Sequence, residues 1–351
     1  PAPAPWRMPE PPLRGHHLNR VAHLQRHVGM RREHPARHML HRHAQLAIVQ
    51  PGVITATLQE EVRKLGWYYP PDPASLRECS IGGNVATNAG GLLCAKYGVT
   101  RGVVKELVCV LADGEVMRMG HQTVKGVTGF DLVSLMVGSE GTLAVITEAL
   151  VSLKPVSSFP VWTISGMSKT IEQATDAVRE TIRSGFEPSI LELIDERSFG
   201  HISKHLGLSE PFAASNQLIA QTEGPGADIQ AQAIGEIWKA CGLEVAIEDQ
   251  GEELMRFRRA MLPALKDVGT DLIEDVAVPI SKLGEMFSEI RKIEQEYQIE
   301  IPTVAHAGDG NLHPNFIYDT PEVPETIWRA ADALFRKAVA LGGTLTGEHG
   351  V

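Results

Sequence analysis

The stretch Cys79-Ser-Ile-Gly-Gly-Asn-Val-Ala-Thr-Asn-Ala-Gly-Gly91 holds four glycines among thirteen residues, and most of its other side chains are small. Small residues let a backbone approach a ligand closely, and successive N–H groups form a concave site for anions. The stretch therefore predicts a binding loop for a cofactor that carries phosphate. Its spacing fits neither the G-x-G-x-x-G fingerprint nor the Walker A loop, so the sequence does not support a Rossmann dinucleotide site or a nucleoside triphosphatase.

Short strands and helices are predicted on either side of this loop. Pro51-Gly52 ends a strand, and Asp113-Gly114 between two apolar runs is a strong signal for a β-hairpin. Residues 70–102 are rich in Gly, Pro, Asn and Ser, which predicts one extended binding loop. The remaining predicted elements are a strand at 46–50, a helix at 53–65, a hairpin at 104–119, a helix at 130–137 and a strand at 142–153.

The sequence pattern changes after Lys154-Pro155. Helical and strand periodicities alternate from there on, which predicts an α+β or α/β domain built around one sheet flanked by helices. We therefore expect one domain at 46–155 and a second at 156–351. Predicted helices lie near 168–184, 195–207, 226–241, 251–267, 279–297 and 322–341, and predicted strands near 159–166, 189–194, 216–222, 244–249, 271–278 and 312–318.

Residues 1–45 differ in composition from the rest of the chain. They contain eight of the fourteen histidines and eight arginines, but no lysine and only two acidic residues. No apolar period of a strand or helix runs through them, and they lack the apolar core of a secretion signal. A His-rich tract can bind metal, but Arg and Pro interrupt this one irregularly. We expect a disordered or artefactual extension.

Overall composition excludes several classes of protein. A chain of 351 residues, 43% hydrophobic and 22% charged, has room for two globular domains. The net charge of −10 argues against a nucleic-acid partner, which would require a basic face. No apolar run approaches the roughly 18 residues of a transmembrane segment. Four scattered cysteines predict reduced thiols and a cytoplasmic protein, which could associate peripherally with the inner membrane.

A second informative stretch is His306-Ala-Gly-Asp-Gly-Asn-Leu-His313, followed near the end of the chain by Glu348-His349. Imidazole and carboxylate suit Zn²⁺, Mn²⁺ or Fe²⁺, and three protein ligands leave room for a substrate. Gly308 and Gly310 predict a bend, so both imidazoles could converge from a strand–turn–strand. A histidine in a Gly-rich turn is also a common turn residue, and without an H-E-x-x-H motif the spacing alone leaves both interpretations open.

Several runs closely resemble the FAD-linked 2-hydroxy-acid dehydrogenases and oxidases, flavoproteins of the vanillyl-alcohol-oxidase type. In the flavin domain these are Pro70-Pro71-Asp72-Pro73, Ile81-Gly-Gly-Asn-Val-Ala-Thr-Asn-Ala-Gly-Gly91 and Gly138-Ser-Glu-Gly-Thr-Leu143. The histidine runs resemble the family's C-terminal part, in the same order. Within that family, the motifs resemble glycolate oxidase flavin subunits and cytochrome-type D-lactate dehydrogenases. The resemblance covers about residues 46–351 and implies a partial FAD-binding domain followed by an α+β substrate (cap) domain.

The resemblance also implies where FAD binds. The backbone of residues 80–91 would cradle the pyrophosphate and flank the isoalloxazine ring, with Lys125 and Asp131 in a neighbouring turn. Ala144 stands where the family usually has glycine. The implied FAD-binding residues are Pro71, Ser80, Ile81, Gly82, Gly83, Asn84, Thr87, Asn88, Ala89, Gly90, Gly91, Glu140, Gly141 and Ile146.

Metal and catalytic residues follow from the same resemblance. His306, His313 and Glu348 would hold the divalent metal ion, and His349 would be the base. Arg258 would pair with the substrate carboxylate. Without the resemblance, the cluster of Arg and Phe residues around it indicates only a solvated helix face. The family carries a further Gly-rich FAD loop upstream, which nothing in residues 1–45 resembles, and family members continue beyond the last residue. We therefore expect a chain truncated at both ends.

The implied reaction is FAD-dependent, metal-assisted oxidation of a small D-2-hydroxy acid, such as lactate or glycolate, to the 2-oxo acid. Ile273 stands two residues before Asp275, where relatives that prefer a second carboxylate carry lysine, and this favours a monocarboxylate. No cysteine cluster could hold an Fe–S centre, so electrons would pass to a quinone, cytochrome, electron-transfer flavoprotein or Fe–S subunit. A homo- or hetero-oligomer is compatible with this. Two alternatives are an impaired or non-catalytic subunit without FAD and a metal-dependent hydrolase without flavin.

Overall fold

Two large antiparallel sheets, each with helices packed on it, organise the chain. The computed structural model describes residues 39–41, 45–208 and 215–350. The first sheet is built from strands before residue 153, and the second from strands after residue 161. Every strand pairing among the described residues is antiparallel. The mixed architecture confirms the predicted α+β class.

The first sheet contains five strands and is accompanied by a separate two-stranded pair. The five are β1 (Met39–His41), β2 (Leu46–Val49), β4 (Val104–Val110), β5 (Val116–Gly120) and β6 (Val145–Ser152), in the order β1-β2-β6-β4-β5, and β3 (Trp67–Tyr68) pairs with β7 (Lys154–Pro155). The predicted hairpin is confirmed, with Gly114 at φ +88° in its turn. Strand β1 departs from the expectation for residues 1–45, because pairing with β2 orders it; residues 1–38 and 42–44 lie outside the described part.

Five helices accompany this sheet: α1 (Thr55–Arg63), α2 (Ile81–Thr87), α3 (Cys94–Tyr97), α4 (Thr100–Val103) and α5 (Leu132–Met136). The prediction of one extended loop over residues 70–102 is therefore wrong. Ser80 caps α2 by accepting a hydrogen bond from the Gly83 N–H. At Gly82, an added Cβ would lie 2.5 Å from the Pro51 Cβ, so glycine allows this helix to pack closely. The two glycines of α2 have poor helix propensity, so the sequence did not predict this helix, which tertiary contacts stabilise.

The second sheet contains eight strands. They are β8 (Trp162–Ser168), β9 (Ile190–Ile194), β10 (Asn216–Thr222), β11 (Glu244–Asp249), β12 (Thr270–Ile273), β13 (Val276–Ala277), β14 (Thr303–His306) and β15 (Asn311–Tyr318). Their order is β11-β8-β10-β9-β14-β15-β12, and β13 also pairs with β15. The single strand predicted at 271–278 is wrong, because Glu274-Asp275 separates two short strands there.

Six longer helices confirm those predicted from periodicity in this half. They are α6 (Ile171–Arg183), α7 (Glu196–His205), α8 (Ala227–Ala240), α9 (Glu252–Lys266), α10 (Leu283–Tyr297) and α11 (Glu325–Ala340). A capping box between Thr170 and Gln173 begins α6. A short 3₁₀ turn, Ile280–Lys282, precedes α10. Within the described residues, none of the helices has the length and apolar character needed to cross a membrane.

Side chains of the second sheet alternate between two buried faces, as the period of a β-strand requires. Leu191 and Leu193 of β9 join the core formed with α6, α8, α10 and α11. Ile190 and Ile194 join a smaller core formed with α7 and α9. Glu192 lies between them and therefore faces the α7–α9 side. This alternation brings polar side chains of the central strands to that same side.

The turn between β14 and β15 depends on Gly310. Its φ is +83°, and an added Cβ would lie 2.1 Å from the Val278 carbonyl oxygen. Gly310→Ala should therefore lower the free energy of unfolding by about 1–3 kcal/mol. Gly200→Ala is the matched control, because Gly200 is an exposed residue of α7 with nothing within 4 Å of the added carbon. It should stabilise the protein by about 0.5–1 kcal/mol. Equal effects in urea unfolding would contradict this account.

Candidate active site

Two imidazoles face one another on the β14–β15 hairpin. His306 ends β14 and His313 lies in β15, which confirms the predicted strand–turn–strand. Their neighbours Ala305 and Leu312 pack into the larger core, so both imidazoles project towards the α7–α9 side. The ring centroids are 4.9 Å apart, and both side chains are buried.

Glu348 brings a carboxylate to both rings. Its Oε1 lies 3.4 Å from His306 Nε2 and 3.3 Å from His313 Nε2, so three potential ligand atoms converge. Burial alone would raise the pKa of Glu348, but hydrogen bonds with the two histidines hold it well below its usual range. Burial lowers the pKa of His313, which favours its neutral imidazole.

Glu192, which no motif singles out, links the histidine pair to Arg258. Its Oε1 accepts a hydrogen bond of 2.5 Å from His306 Nδ1, and its Oε2 accepts one of 2.6 Å from Arg258 Nε. Burial alone would lower the pKa of His306, but the charge and hydrogen bond of Glu192 raise it well above the usual value. Because Nδ1 donates to Glu192, His306 Nε2 is directed at Glu348. In many metal sites a carboxylate likewise accepts a hydrogen bond from the second nitrogen of a ligand histidine. The available signal was a lone acid inside the apolar strand β9.

His349 lies beside the same cluster and is its most exposed imidazole. Its ring stacks on that of His313, with centroids 5.2 Å apart and 21° between the planes. Its Nε2 lies 3.9 Å from Glu348 Oε1, so the adjacent Glu348 and His349 both face one site. That requires a bent backbone, and the flanking Gly350 has φ +83°. At Gly347, an added Cβ would lie 2.2 Å from the Asn311 side chain, which explains the glycine there by close packing.

The glycine-rich run does not present a continuous row of free N–H groups. The N–H groups of Ile81, Gly82 and Asn84 donate to backbone carbonyl oxygens. The Gly83 N–H donates to the Ser80 side chain. These amides are engaged within the protein, so the expected backbone cradle does not extend over the start of α2. The end of the run, Gly90-Gly91, lies instead against His306, His313, Glu348 and His349, which are here called the histidine cluster.

The other predicted FAD-binding residues differ in exposure. Pro71, Ala89 and the side chains of Ile81, Asn84 and Ile146 are buried. Thr87 and Glu140 lie close to Gly350, so this part of the predicted flavin site borders the end of the described chain. Asn88 is in the left-handed region at the end of α2, and Gly141 is exposed with φ +75°. Asp131 caps α5, and Lys125 is exposed in the preceding turn.

One cavity of about 140 Å³ joins the two predicted parts of the site. Gly91 and Leu92 line it from the glycine-rich side. At Gly90, an added Cβ would lie 2.6 Å from Glu348 Oε2, so only glycine allows this approach. The other predicted site residues that line the cavity are Arg258, His306, His313, Glu348 and His349.

Two families of known domains match the chain. Residues 24–120 match an FAD binding domain, and residues 165–351 match the C-terminal domain of FAD linked oxidases. The second match alone covers more than half of the 351 residues. The chain belongs to the FAD-linked oxidase family. The resemblance drawn from the sequence motifs is thereby confirmed, and the family to which the chain belongs is one of FAD-binding oxidoreductases.

Proteins similar to this chain include subunits of glycolate oxidase and a D-lactate dehydrogenase. Glycolate oxidase subunit GlcD of Bacillus subtilis (strain 168) is 38% identical over 87% of this chain and 67% of the relative. The GlcD subunit of Escherichia coli (strain K12) is 33% identical, over 87% and 62%. A D-lactate dehydrogenase of Anaerostipes hadrus is 32% identical, over 86% and 67%. The chain thus spans about two thirds of the length of these relatives.

A solved structure also resembles the chain. An alkyldihydroxyacetonephosphate synthase matches with a TM-score of 0.70 at 20% sequence identity. The match covers 90% of this chain and 63% of the synthase chain. At that identity the likeness concerns the fold alone, and it agrees with an FAD-binding domain followed by a C-terminal domain.

Proposed function

We propose that this chain oxidises a small D-2-hydroxy acid to the 2-oxo acid, with FAD as hydride acceptor and a divalent metal ion assisting. One observation carries the proposal: the end of the glycine-rich run and the histidine cluster line the same cavity. This supports the proposal because hydride transfer needs cofactor and substrate side by side. The relatives named glycolate oxidase and D-lactate dehydrogenase support the substrate class.

The residues present suit a divalent metal ion. His306, His313 and Glu348 offer two imidazole nitrogens and a carboxylate oxygen, a donor set compatible with Zn²⁺, Mn²⁺ or Fe²⁺. A further carboxyl group, that of Asp72, lies near this cluster. Partial burial raises the pKa of Asp72 to about 7. A bound cation would favour its charged form and relieve this cost.

Side chains of the cavity would bind the substrate and accept its proton. When bound, the metal ion would lower the pKa of the substrate hydroxyl, and FAD would accept the hydride from C2. Arg258 would pair with the substrate carboxylate through the guanidinium nitrogens that Glu192 does not engage. His349 would accept the hydroxyl proton at Nε2 as general base. Its stacking on His313 holds the ring beside the proposed ligands.

The cavity favours a small monocarboxylate. Apart from the polar cluster, much of its wall is apolar, with Met261, Leu262 and Ile273 among the lining residues. Arg258 is the only Arg or Lys that lines it within the described part of the chain. A second carboxylate would therefore meet apolar side chains without a counter-ion, which is costly. Lactate and glycolate satisfy this limit.

Electrons from reduced FAD must leave the protein. The four cysteines, which are widely separated in sequence, are all free. We therefore assign the electrons to an external acceptor: a quinone, a cytochrome, an electron-transfer flavoprotein or an Fe–S subunit. We place the protein in the cytoplasm, with a peripheral position on the inner membrane as an option, and as a homo- or hetero-oligomer. From there it would reduce any of these acceptors.

A second candidate is a subunit of the same fold that does not hold FAD. The engaged N–H groups at the start of α2 favour it, because they remove donors that a pyrophosphate could use. An absorption spectrum and a metal analysis of one purified sample separate the candidates. A flavin band with stoichiometric metal supports the oxidase. Metal without flavin would indicate other metal chemistry, and a chain with neither would favour the cofactor-free subunit.

Metal affinity should rise with pH through the neutral range. Glu192 raises the pKa of His306, whereas a metal ligand must be a neutral imidazole, so binding must release that proton. Below the pKa of His306, affinity should fall by about tenfold per pH unit for one proton. Glu192→Gln removes the charge that raises this pKa and should flatten the dependence. Glu300→Gln, which bonds to His201 outside the cavity, is the matched control. Zn²⁺ titrations that are independent of pH would contradict the assignment.

A further inference from the structure

We propose that Asp275 is a positioning residue that holds Glu348 and His349 at the site and orients His313 towards the metal ion. The orienting role towards the metal ion rests on the proposed function. The anchoring role concerns only how residues 346–349, here called the ligand segment, are attached to the second sheet. The two roles use different oxygen atoms of the Asp275 carboxylate.

The first oxygen anchors the ligand segment. Asp275 Oδ2 accepts hydrogen bonds from the Thr346 hydroxyl at 2.6 Å and from three successive backbone N–H groups. The donors are the N–H groups of Gly347 at 2.9 Å, Glu348 at 2.8 Å and His349 at 2.9 Å. Successive N–H groups around one anion fix the backbone that carries them. The bend that turns Glu348 and His349 to one site is therefore held by Asp275.

The second oxygen faces a metal-ligand candidate. Asp275 Oδ1 lies 3.7 Å from His313 Nδ1. Both atoms are buried, and neither has a hydrogen-bond partner among the described residues. Each is therefore a polar group that can satisfy the other, which a small rotation of either side chain would achieve. A carboxylate can only accept, so Nδ1 must carry the proton, and His313 Nε2 then presents its lone pair to the metal position.

Two substitutions separate these roles. Asp275→Ala removes both oxygens and therefore the anchor. Asp275→Asn keeps one oxygen for the ligand segment but turns an NH₂ group towards His313 Nδ1. That donor would favour the opposite tautomer, in which His313 Nε2 carries hydrogen and cannot bind metal. Glu274→Gln is the matched control, since Glu274 adjoins Asp275 in sequence but its backbone N–H donates to the Pro314 carbonyl oxygen and not to the ligand segment.

The test combines amide hydrogen exchange with Co²⁺ titration of the whole chain. In metal-free protein, Asp275→Ala should speed exchange at residues 347–349 by about tenfold or more, whereas Asp275→Asn and Glu274→Gln should not. In the titration, both Asp275 variants should weaken Co²⁺ binding by about 10–100-fold, as outer-shell changes do. Glu274→Gln should leave it unchanged.

Wild-type exchange at residues 347–349 in Asp275→Ala would overturn the anchoring role. Wild-type Co²⁺ affinity in Asp275→Asn would overturn the orienting role. A second Co²⁺ ion that the wild type binds and Asp275→Asn loses would instead make Asp275 a ligand. A wild-type chain that binds no Co²⁺ would contradict the proposed metal site and the orienting role together. The exchange measurement, which needs neither metal nor flavin, would still decide the anchor. If Asp275→Ala fails to fold, the Asn variant carries the titration, and Thr346→Val tests the anchor by removing one donor.

Discussion

Alanine in place of His349 should lower kcat by about 10²–10⁴-fold, the usual loss when a general base is removed. Metal and flavin contents should not change, because the proposed ligand atoms belong to His306, His313 and Glu348. The ligand segment should also stay in place, because Asp275 binds the backbone N–H of His349 and not its ring. Turnover of D-lactate and of glycolate, measured with metal content on one flavin-loaded sample, tests this.

A histidine outside the cavity provides the comparison for that variant. His201 lies on α7 and bonds to Glu300, so His201→Ala should leave kcat and metal content unchanged. Loss of metal from the His349 variant would move His349 into the ligand set. Near-normal turnover would remove it from the mechanism.

His313→Ala should abolish stoichiometric metal binding. The substitution removes one of three converging ligand atoms and leaves Glu348 and His306 as an incomplete pair. The loss of affinity should exceed about 100-fold, beyond the 10–100-fold that is typical of outer-shell changes. Elemental analysis of the purified variant and a Zn²⁺ titration measure the effect directly.

Folding must be separated from ligation in this experiment. His205→Ala changes an exposed histidine that bonds to Asp267, and it should keep full metal content. Circular dichroism of the His313 variant should match that of the wild type. Full metal content in a folded His313→Ala protein would refute the assignment of this residue as a ligand.

Elements with strong local signals were predictable from the sequence. The Asp113-Gly114 turn and its apolar flanks identified the first hairpin, and the capping box at Thr170 and Gln173 marks the start of α6. The short helices within residues 70–102 were not predictable. The two glycines of α2 disfavour helix locally, and contacts such as that between Gly82 and Pro51 compensate only in the folded chain.

The sequence by itself determined the family, the α+β class and the histidine motif, because these depend on local periodicity and on long contiguous runs. Only the tertiary structure decided that Glu192 stands behind His306, a partner 114 residues away that strand register places directly opposite it. It likewise decided that Asp275 binds residues 346–349, and that Gly90 lies against Glu348. Such contacts depend on how distant strands and loops pair and pack, and that arrangement leaves no local pattern in either segment.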